Sequence, residues 1–413
     1  MFVSIASSQA FAQLPTALLT LADCIRLANS IPSAVTVARQ EARIAALGIK
    51  VARSGFLPQA SLTGGTVYNS PRSDRQAFVS FNGPREYITM ASVGVEIDTS
   101  GRLRAAYARS RVDRDAAEVG IRLSERDLRR AVTIAYYRVL VARKLAEASQ
   151  SSLTEAQAFE TRVQALFGGG EAAQADVVKA SAQVASFDQL NQAAELDARL
   201  ANQELASYWT ADTDAPLNLE DALAQVAVEA PAPEPAAFLR RPEFRIFDLQ
   251  KQGFTLDAKR ERAALLPQIF LGYQYGIDAS RYAWNERGKA LTATLNIPVF
   301  DWFRARSLAQ QFTLRAEQIT TTRQVSERVF SREYESARSR LNSIHSQLKT
   351  ADSQVKLFEQ NLKLSRLRYD GGEGPALEVV FAQTQLQQAR ANYFNTLFLY
   401  TNARADLEVA AGR

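Results

Sequence analysis

Cysteine and histidine commonly serve as nucleophiles or metal ligands, and each occurs once in this chain. Cys24 is the only cysteine and His345 the only histidine. One cysteine excludes an internal disulfide framework, and the two residues together leave too few ligands for a His/Cys metal site. We expect Cys24 to be buried in a helix, and His345, beside Ile344 in another helix, to be packed or solvated. No metal site and no cofactor is predicted.

Motifs of catalysis and nucleotide binding are absent from the sequence. There is no G-x-S-x-G nucleophile elbow, no phosphate-binding loop ending in GK[ST] and no H-E-x-x-H zinc motif. The 49 Lys and Arg residues exceed the 44 Asp and Glu residues by a net charge of only +5. This small excess is spread along the chain, so it forms no basic patch for nucleic acid. The sequence therefore predicts a protein that is not an enzyme and does not bind nucleic acid.

A sequence repeat divides the chain into two copies. The matching segments are Leu57-Pro58-Gln59 with Leu266-Pro267-Gln268, Phe167-Gly168-Gly169-Gly170-Glu171 with Tyr369-Asp370-Gly371-Gly372-Glu373, and Asp176-Val177-Val178 with Glu378-Val379-Val380. The last two pairs share an offset of 202 residues. Copies of about 200 residues are too long to be units of a solenoid, whose periods are about 20–50 residues. The pattern indicates a duplicated domain.

The repeat defines the predicted domains. We assign residues 13–209 to the first copy, 210–235 to a proline-rich connector and 236–413 to the second copy. Ala10-Phe11-Ala12 has the small-x-small pattern after which signal peptidase cuts, and an apolar stretch precedes it. We interpret residues 1–12 as the remnant of a secretory signal peptide.

Each copy contains two long helical segments joined by a glycine-rich turn. In the second copy, apolar residues alternate spacings of four and three, which is the seam of a coiled coil. The seam consists of Phe330, Tyr334, Ala337, Leu341, Ile344, Leu348, Ala351, Val355, Phe358 and Leu362. Shifted back by 202 residues, it becomes Leu128, Val132, Ala135, Val139, Ala142, Ala146, Ser149, Leu153 and Ala156. The helices predicted at 102–166 and 303–368 would each be about 100 Å long at a rise of 1.5 Å per residue.

Ahead of each long helix the hydrophobic period changes from helical to two. We predict strands at about 59–69 and 86–98 in the first copy, and at about 267–278 and 289–300 in the second. Apolar residues alternate with polar or small ones along the last three of these segments, whereas the first alternates poorly and is placed mainly by the repeat. About ten residues of such alternation is the length of a transmembrane β-strand.

Four strands are too few to close a barrel, because closure needs roughly eight. Unpaired strand edges cannot lie in lipid, where every backbone polar group has to be hydrogen-bonded. A soluble antiparallel sheet would show the same alternation, but the rest of the chain offers no strands to cover the apolar face. If the strands span a membrane, several chains must therefore contribute to one barrel. The number of chains does not follow from this argument.

Several segments together have the pattern of one known family. They are, in chain order, Leu19 to Ala28 (LTLADCIRLA), the approach to Leu57-Pro58-Gln59, Val95 to Arg104 (VEIDTSGRLR), Arg241-Pro242-Glu243-Phe244, and Asn296 to Asp301 (NIPVFD). Through them the chain resembles the TolC-like outer membrane efflux proteins, in particular the drug-efflux branch, over nearly its whole length.

The resemblance implies a fold that is mainly α with a small β part, built from a duplicated unit of helix, β-hairpin and long helical hairpin. It implies a homotrimer whose strands form one twelve-stranded transmembrane β-barrel and whose long helices form an α-barrel tunnel. The implied location is the outer membrane of a Gram-negative bacterium, extending into the periplasm. The implied partners are outer membrane lipid, a periplasmic adaptor (membrane fusion) protein and an inner membrane pump of the RND or ABC type. The implied function is a passive exit duct for small molecules such as drugs, toxic compounds or metals.

The turns between the long helices are the candidate site. The tips, at about 168–175 and 370–377, begin with Gly168, Gly169 and Gly170 and with Asp370, Gly371 and Gly372. Reversing a helix requires a residue with positive φ, which glycine adopts at low cost. The resemblance implies that the adaptor docks at these tips and that acidic residues just beyond them restrict the aperture. Here those acids are Asp176 and Glu378, and Phe381 occupies the next ring position, where the best-known members carry an acid.

Two alternative functions stay open on the sequence alone. The first keeps the channel and assigns it to a type I protein secretion system. The second, more distant, is a cytoplasmic coiled-coil scaffold whose strands are small hairpin caps. A scaffold, however, has no reason to present Ile269, Leu271, Tyr273 and Tyr275 together on one face.

Overall fold

The computed structural model describes residues 18–70, 83–223 and 234–413. The predicted signal-peptide remnant, residues 1–12, and part of the predicted connector lie outside these ranges. The described chain is mainly helical with one small β-sheet, which confirms the predicted fold class at that level. None of the helices within these ranges has an apolar stretch long enough to cross a membrane.

Helices and strands follow the same order in both halves of the chain. The first half contains α1 (Leu21–Ser30), α2 (Ala34–Ser54), β1 (Gln59–Tyr68), β2 (Arg85–Ile97), α3 (Arg102–Gly168) and α4 (Gln174–Ala206). The second half contains a 3₁₀ helix (Ala237–Arg240), α5 (Pro242–Ala263), β3 (Gln268–Ala279), a 3₁₀ turn (Trp284–Glu286), β4 (Arg287–Asn296), α6 (Arg304–Asp370) and α7 (Ala376–Ala410). In each half a helix leads into two strands, and two long helices follow.

The long helices α3 and α6 bury the seams that the sequence predicts. In α6, Tyr334, Leu341 and Leu348 are buried, and in α3 the same holds for Val132 and Val139. Apolar side chains at alternating spacings of three and four line one side of a helix, so burial of that side stabilises a helix whose other side is charged. Both helices are 67 residues long. The prediction of two long, seam-forming helices is confirmed.

The described residues form two compact units, and the first contains the largest hydrophobic core. This unit comprises residues 18–37, 123–223, 234–241 and 327–413. Tyr136, Leu205, Leu341 and Tyr400 are fully buried in its core, which combines side chains from α3, α4, α6 and α7. Burial of large apolar side chains at about 1.5–3 kcal/mol each is the main stabilising contribution here.

The beginning of the predicted connector, residues 210–223, belongs to this first unit. Its leucines are buried. The backbone N–H of Leu19 donates to the carbonyl of Asn218 at 2.8 Å, and the N–H of Glu220 donates to the carbonyl of Leu19 at 3.0 Å. The hydroxyl of Tyr136 also donates to the Glu220 carbonyl, at 2.7 Å. These bonds hold the start of the connector to the described N-terminal segment and to α3.

The second unit comprises residues 38–70, 83–122 and 242–326 and contains the sheet. Its strand order is β1-β2-β3-β4, and each neighbouring pair is antiparallel. The central pair joins the two sequence copies, because Tyr87–Ile97 of β2 pairs with Ile269–Ala279 of β3. Strands β1 and β4 are the edges of this sheet as the described residues form it.

The apolar residues of the strands lie on one face of the sheet. The register places Val93 of β2 opposite Tyr273 of β3, and Tyr273 opposite Leu291 of β4. Leu291 is 83% exposed, and Leu62 of β1 is exposed as well. The alternation predicted from the sequence therefore produces one apolar surface that runs across four strands.

The limits of β4 differ most from the prediction. Strands β1, β2 and β3 begin and end within one residue of the predicted limits, whereas β4 runs Arg287–Asn296 instead of about 289–300. Pro298 follows shortly after and has no backbone N–H, so the hydrogen-bonded ladder cannot continue through it.

Candidate functional site

The first helical tip is the turn between α3 and α4. Gly170 has a φ of 80°. The N–H of Glu171 donates to the carbonyl of Leu166 at 2.8 Å, and the N–H of Gly170 donates to that of Phe167 at 3.0 Å. These bonds satisfy the last carbonyls of α3, and the positive φ that they require is inexpensive for glycine. Gly168 is the last residue of α3, and Gly169 lies in the turn.

The second tip, between α6 and α7, repeats this geometry 202 residues later. Gly372 has a φ of 74°. The N–H of Glu373 donates to the backbone carbonyl of Arg368 at 2.8 Å, and the N–H of Gly372 donates to the backbone carbonyl of Tyr369 at 3.0 Å. Asp370 is the last residue of α6, and Gly371 lies in the turn. The prediction that each reversal places a glycine at positive φ is confirmed.

Both acids proposed for the aperture are ion-paired within their own hairpin. Asp176, in the first turn of α4, lies 3.2 Å from Lys179 between Oδ1 and Nζ. Glu378, in the first turn of α7, lies 2.7 Å from Arg368 between Oε1 and Nη1. A carboxylate in the first turn also interacts favourably with the helix dipole. Each acid is therefore fixed by local contacts.

The two tips differ at the position three residues after each of these acids. Phe381 is 61% exposed, and Lys179 stands 202 residues before it. Lys179 supplies the cation that pairs with Asp176. A phenylalanine cannot do so, and Glu378 pairs instead with Arg368, whose counterpart in the first copy is Leu166. One tip consequently presents an ammonium group where the other presents an aromatic ring.

Ion pairs between hairpins, which the sequence analysis missed, lie near the tips. Arg162 of α3 is 3.4 Å from Asp370 of α6, and Arg366 of α6 is 3.2 Å from Glu155 of α3. Arg390 of α7 also approaches Glu155, at 3.7 Å. Charged residues next to the predicted seams were the available signal, but their partners depend on which helices are neighbours.

A buried polar layer connects α3 and α7 next to these ion pairs. The hydroxyl of Ser152 donates to Oε1 of Gln387 at 2.7 Å, and Nε2 of Gln387 donates to the hydroxyl of Ser149 at 3.1 Å. All three residues are buried. Because a buried polar group without a partner is costly, this layer favours a single pairing of the two helices.

Cys24 and His345 do not form a catalytic site. Burial raises the pKa of the Cys24 thiol to about 12, so it is not a thiolate at neutral pH. His345 packs against Tyr400, with ring centroids 5.5 Å apart. Within the described ranges, no cluster of three or more His, Cys, Asp or Glu side chains could hold a metal ion.

Comparison with known protein families assigns the chain to one of them. The family model described as outer membrane efflux protein matches residues 27–211 and 236–413. This chain belongs to the outer membrane efflux protein family. Its members are channel proteins of the outer membrane of Gram-negative bacteria, so the predicted location and the prediction that the chain is not an enzyme are confirmed.

Individual relatives agree with this assignment. The pyoverdine export outer membrane protein OpmQ of Pseudomonas putida is 24% identical over 306 residues, which cover 72% of this chain and 64% of OpmQ. The chain thus spans less than two thirds of that relative. The crystal structure of the CmeC outer membrane channel of Campylobacter jejuni superposes with a TM-score of 0.80 at 18% identity, over 95% of this chain and 85% of CmeC.

A second solved structure has the same fold. The outer membrane protein VceC of Vibrio cholerae superposes with a TM-score of 0.79 at 16% identity, over 95% of this efflux protein and 96% of VceC. At these identities the superpositions establish a common fold. They do not extend to substrates or partners.

Proposed function

We propose that this chain is the outer membrane exit duct of a tripartite efflux system, a passive channel for small molecules. Three copies contribute four strands each to one twelve-stranded barrel, and their long helices form a periplasmic tunnel. A periplasmic adaptor docks at the helical tips, and an inner membrane pump of the RND or ABC type drives transport. The relative named for pyoverdine export supports a role in export.

The observation that carries this proposal is the exposed apolar face of the open sheet. Leu62, Tyr273 and Leu291 are exposed on one face of the sheet. In water, exposed apolar surface raises the free energy of the protein by about 25 cal/mol per Å². Lipid removes that cost but leaves no water for the edges β1 and β4, whose backbone groups then need partners. Pairing β4 of one copy with β1 of the next satisfies both requirements and closes a ring.

Cross-linking between the strand edges tests the assembly. In a Cys24→Ala background, one cysteine is placed on β1 and a second is moved residue by residue along β4. We expect oxidation of native membranes to give covalent trimers for a few adjacent β4 positions and none for the others. A chain that remains monomeric at every position, or that is recovered as a water-soluble monomer, contradicts the proposed duct.

The aperture role of the tip acids is tested by conductance in planar bilayers. If Asp176 and Glu378 restrict the aperture, Glu378→Ala should raise single-channel conductance, and Asp176→Ala should act in the same direction. Asp212→Ala removes the same charge from an exposed position outside both hairpins and is the matched control. Unchanged conductance in the two tip variants would remove these acids from the site.

The ion pair at the second tip permits a test with opposite signs. Glu378→Gln leaves Arg368 unneutralised and should lower the preference of the channel for cations. Arg368→Gln leaves Glu378 unneutralised and should raise that preference, because local charge concentrates counter-ions at a narrow passage. Reversal potentials under a salt gradient measure both effects. Equal shifts in the same direction would show that the pair does not line the passage.

A further inference from the structure

The apolar face of the sheet becomes cationic at one end of β4. Side chains two residues apart in a strand share a face, so Leu295, Ala293 and Leu291 are followed on this face by Lys289 and Arg287, toward the hairpin turn. All five residues are exposed. Positions two apart in a strand are separated by about 7 Å. Two cations therefore stand next to each other at the end of an otherwise apolar row.

A third cation lies on the same face at the same end of the sheet. Arg85 is the first residue of β2 and is opposite Tyr68, the last residue of β1. Its guanidinium carbon lies 6.0 Å from the centre of the Tyr68 ring. At the end of the sheet that joins the long helices, the strand residues on this face are all uncharged: Ala60, Val95, Ile97, Ile269 and Leu295. The cations are thus confined to the hairpin end.

The carboxylates of the strands at the hairpin end lie on the opposite face. Glu86 directly follows Arg85 in β2, and Asp278 directly follows Ile277 in β3, whose partner in β4 is Arg287. Adjacent strand residues point to opposite faces, so neither acid shares a face with the cations. The two signs of charge are therefore segregated between the faces of the sheet.

Arg85, Arg287 and Lys289 have no carboxylate partner among the residues that the structure describes. Arg287 donates from Nε to the backbone carbonyl of Trp284 at 2.6 Å, and its guanidinium carbon is 5.2 Å from the indole centroid. These contacts orient the guanidinium and leave its terminal nitrogens available to an anion. Arg281 differs, because it pairs with Glu286 at 3.1 Å.

The sequence after Lys289 indicates the depth of these cations. Residues 290–300 contain no charged side chain, and a tilted strand needs about 9–11 residues to cross the hydrocarbon core. A cation on the lipid side of a strand is costly at the membrane midplane but nearly free of cost at the interface. If this stretch crosses the membrane, Lys289 lies at one boundary of the hydrocarbon core and Arg287 lies beyond it.

We propose that Arg287 and Lys289, together with Arg85, bind the phosphate groups of lipopolysaccharide in the outer leaflet of the outer membrane. The inference rests on the proposed function, which places the long helices in the periplasm and the hairpin turns outside. The lipid A part of lipopolysaccharide carries phosphate next to its acyl chains, so it matches a cationic edge on an apolar face. A guanidinium binds phosphate through two parallel N–H bonds, and an ammonium binds it as a point charge. The confinement of the cations to one end favours a lipid that occupies one leaflet.

Binding of lipid A to the detergent-solubilised channel tests the site. The channel is purified from outer membranes, and native mass spectrometry measures its affinity for phosphorylated lipid A and for the same lipid A after enzymatic removal of phosphate. In Arg287→Gln/Lys289→Gln we expect the affinity for phosphorylated lipid A to fall about 10- to 30-fold. The affinity for the dephosphorylated lipid should stay the same. Equal weakening toward both lipids, or none toward either, overturns the site.

Two further variants separate the loss of these cations from other effects. Arg340→Gln/Lys349→Gln removes the same two charges from exposed positions of α6 in the first unit, and it should change neither affinity. Arg287→Lys/Lys289→Arg keeps both cations and should keep the binding of phosphorylated lipid A. If this exchange weakens binding as much as the glutamine pair does, the charges are not the cause. An equal loss of phosphatidylglycerol binding in the glutamine pair would overturn the assignment to lipid A.

Membrane insertion is measured separately, by flotation of reconstituted vesicles after an alkaline wash. Natural protein that does not float contradicts the proposed function, and the lipid site with it. Natural protein that floats but has the same affinity for lipid A with and without phosphate refutes the lipid site alone.

Discussion

Replacing Gly253 by alanine tests the ion cluster between α3 and α5 in the second unit. A Cβ at Gly253 would lie 2.9 Å from Cζ and 3.0 Å from Nε of Arg109. The Nε of Arg109 donates to Oδ2 of Asp257 at 3.0 Å, and the side chain of Asp257 is only 11% exposed. Arg260 lies 3.3 Å from the other carboxylate oxygen. An alanine therefore moves the Arg109 guanidinium away from a largely buried carboxylate that keeps one cationic partner.

Two effects of opposite sign determine how much Gly253→Ala changes the free energy of unfolding. Alanine in place of glycine inside a helix stabilises by about 0.5–1 kcal/mol. Weakening a hydrogen bond between charged, mostly buried groups costs about 1.5–3 kcal/mol. The second effect is larger, so we expect Gly253→Ala to lower the free energy of unfolding by about 1–2 kcal/mol.

Unfolding of the detergent-extracted protein, followed by far-ultraviolet circular dichroism, measures this change. Gly120→Ala in α3 is the matched control, because a Cβ there meets nothing within 4 Å, and it should stabilise by about 0.5–1 kcal/mol. In an Arg109→Ala background, Gly253→Ala meets no guanidinium and should become neutral or stabilising. If Gly253→Ala stabilises the natural chain as much as Gly120→Ala does, the proposed displacement of the guanidinium does not occur.

Three further predictions concern the sheet, the thiol and the buried polar layer. Gly276→Ala would place a Cβ in steric conflict with the backbone carbonyl oxygen of Thr89 in β2, so it should lower the yield of folded protein. Gly64→Ala adds a Cβ in open space and should leave the yield unchanged. Equal yields of the two variants would contradict the close approach of β2 and β3. Cys24 should resist maleimide labelling at neutral pH until the chain unfolds. The stability that the buried, protonated Cys24 thiol contributes should be complete below the ordinary thiol pKa of 9.0 and should decline as the pH rises toward the folded-state pKa of about 12. Rapid labelling of the folded protein would show that the thiol is accessible. Gln387→Leu removes the partner of the buried Ser149 hydroxyl and one partner of Ser152, which keeps the Ala148 carbonyl at 3.0 Å, and should destabilise by about 1–3 kcal/mol. Gln388→Leu, at an exposed neighbouring position, should change the free energy of unfolding by less than about 0.5 kcal/mol. Equal effects of the two substitutions in thermal unfolding would contradict the buried layer.

Periodic features of the fold could be predicted from the sequence. The seam residues of α6, such as Leu341 and Leu348, are buried because a spacing of three and four places them on one side of a helix wherever that helix packs. Strands β2, β3 and β4 were predictable for the same reason, since an alternation with period two places apolar residues on one face, whereas β1 was predicted mainly from its match to the second copy. The glycines at the tips were predictable because few residues accept positive φ.

Features that depend on neighbouring helices were not predictable. Glu378 and Asp176 are equivalent in the repeat, yet their cationic partners come from different positions. The pairing of Arg366 with Glu155 requires knowledge of which helices adjoin. The positive φ of Phe303 contradicts the local preference of a bulky residue. Gly101, which precedes α3 as Phe303 precedes α6, also has a positive φ, and only knowledge of both helix starts reveals this equivalence.

The pairing of β2 with β3 has a consequence for the history of the molecule. That contact lies between the two sequence copies, and in the proposed trimer the contact of β4 with the next β1 repeats it between chains. An ancestor with a single copy would have brought two strands, and six such chains supply the same ring. With two copies in one chain, the six equivalent positions of the proposed ring become alternating pairs that can differ. Lys179 and Phe381 are such a divergence, which no ring of six identical chains can encode.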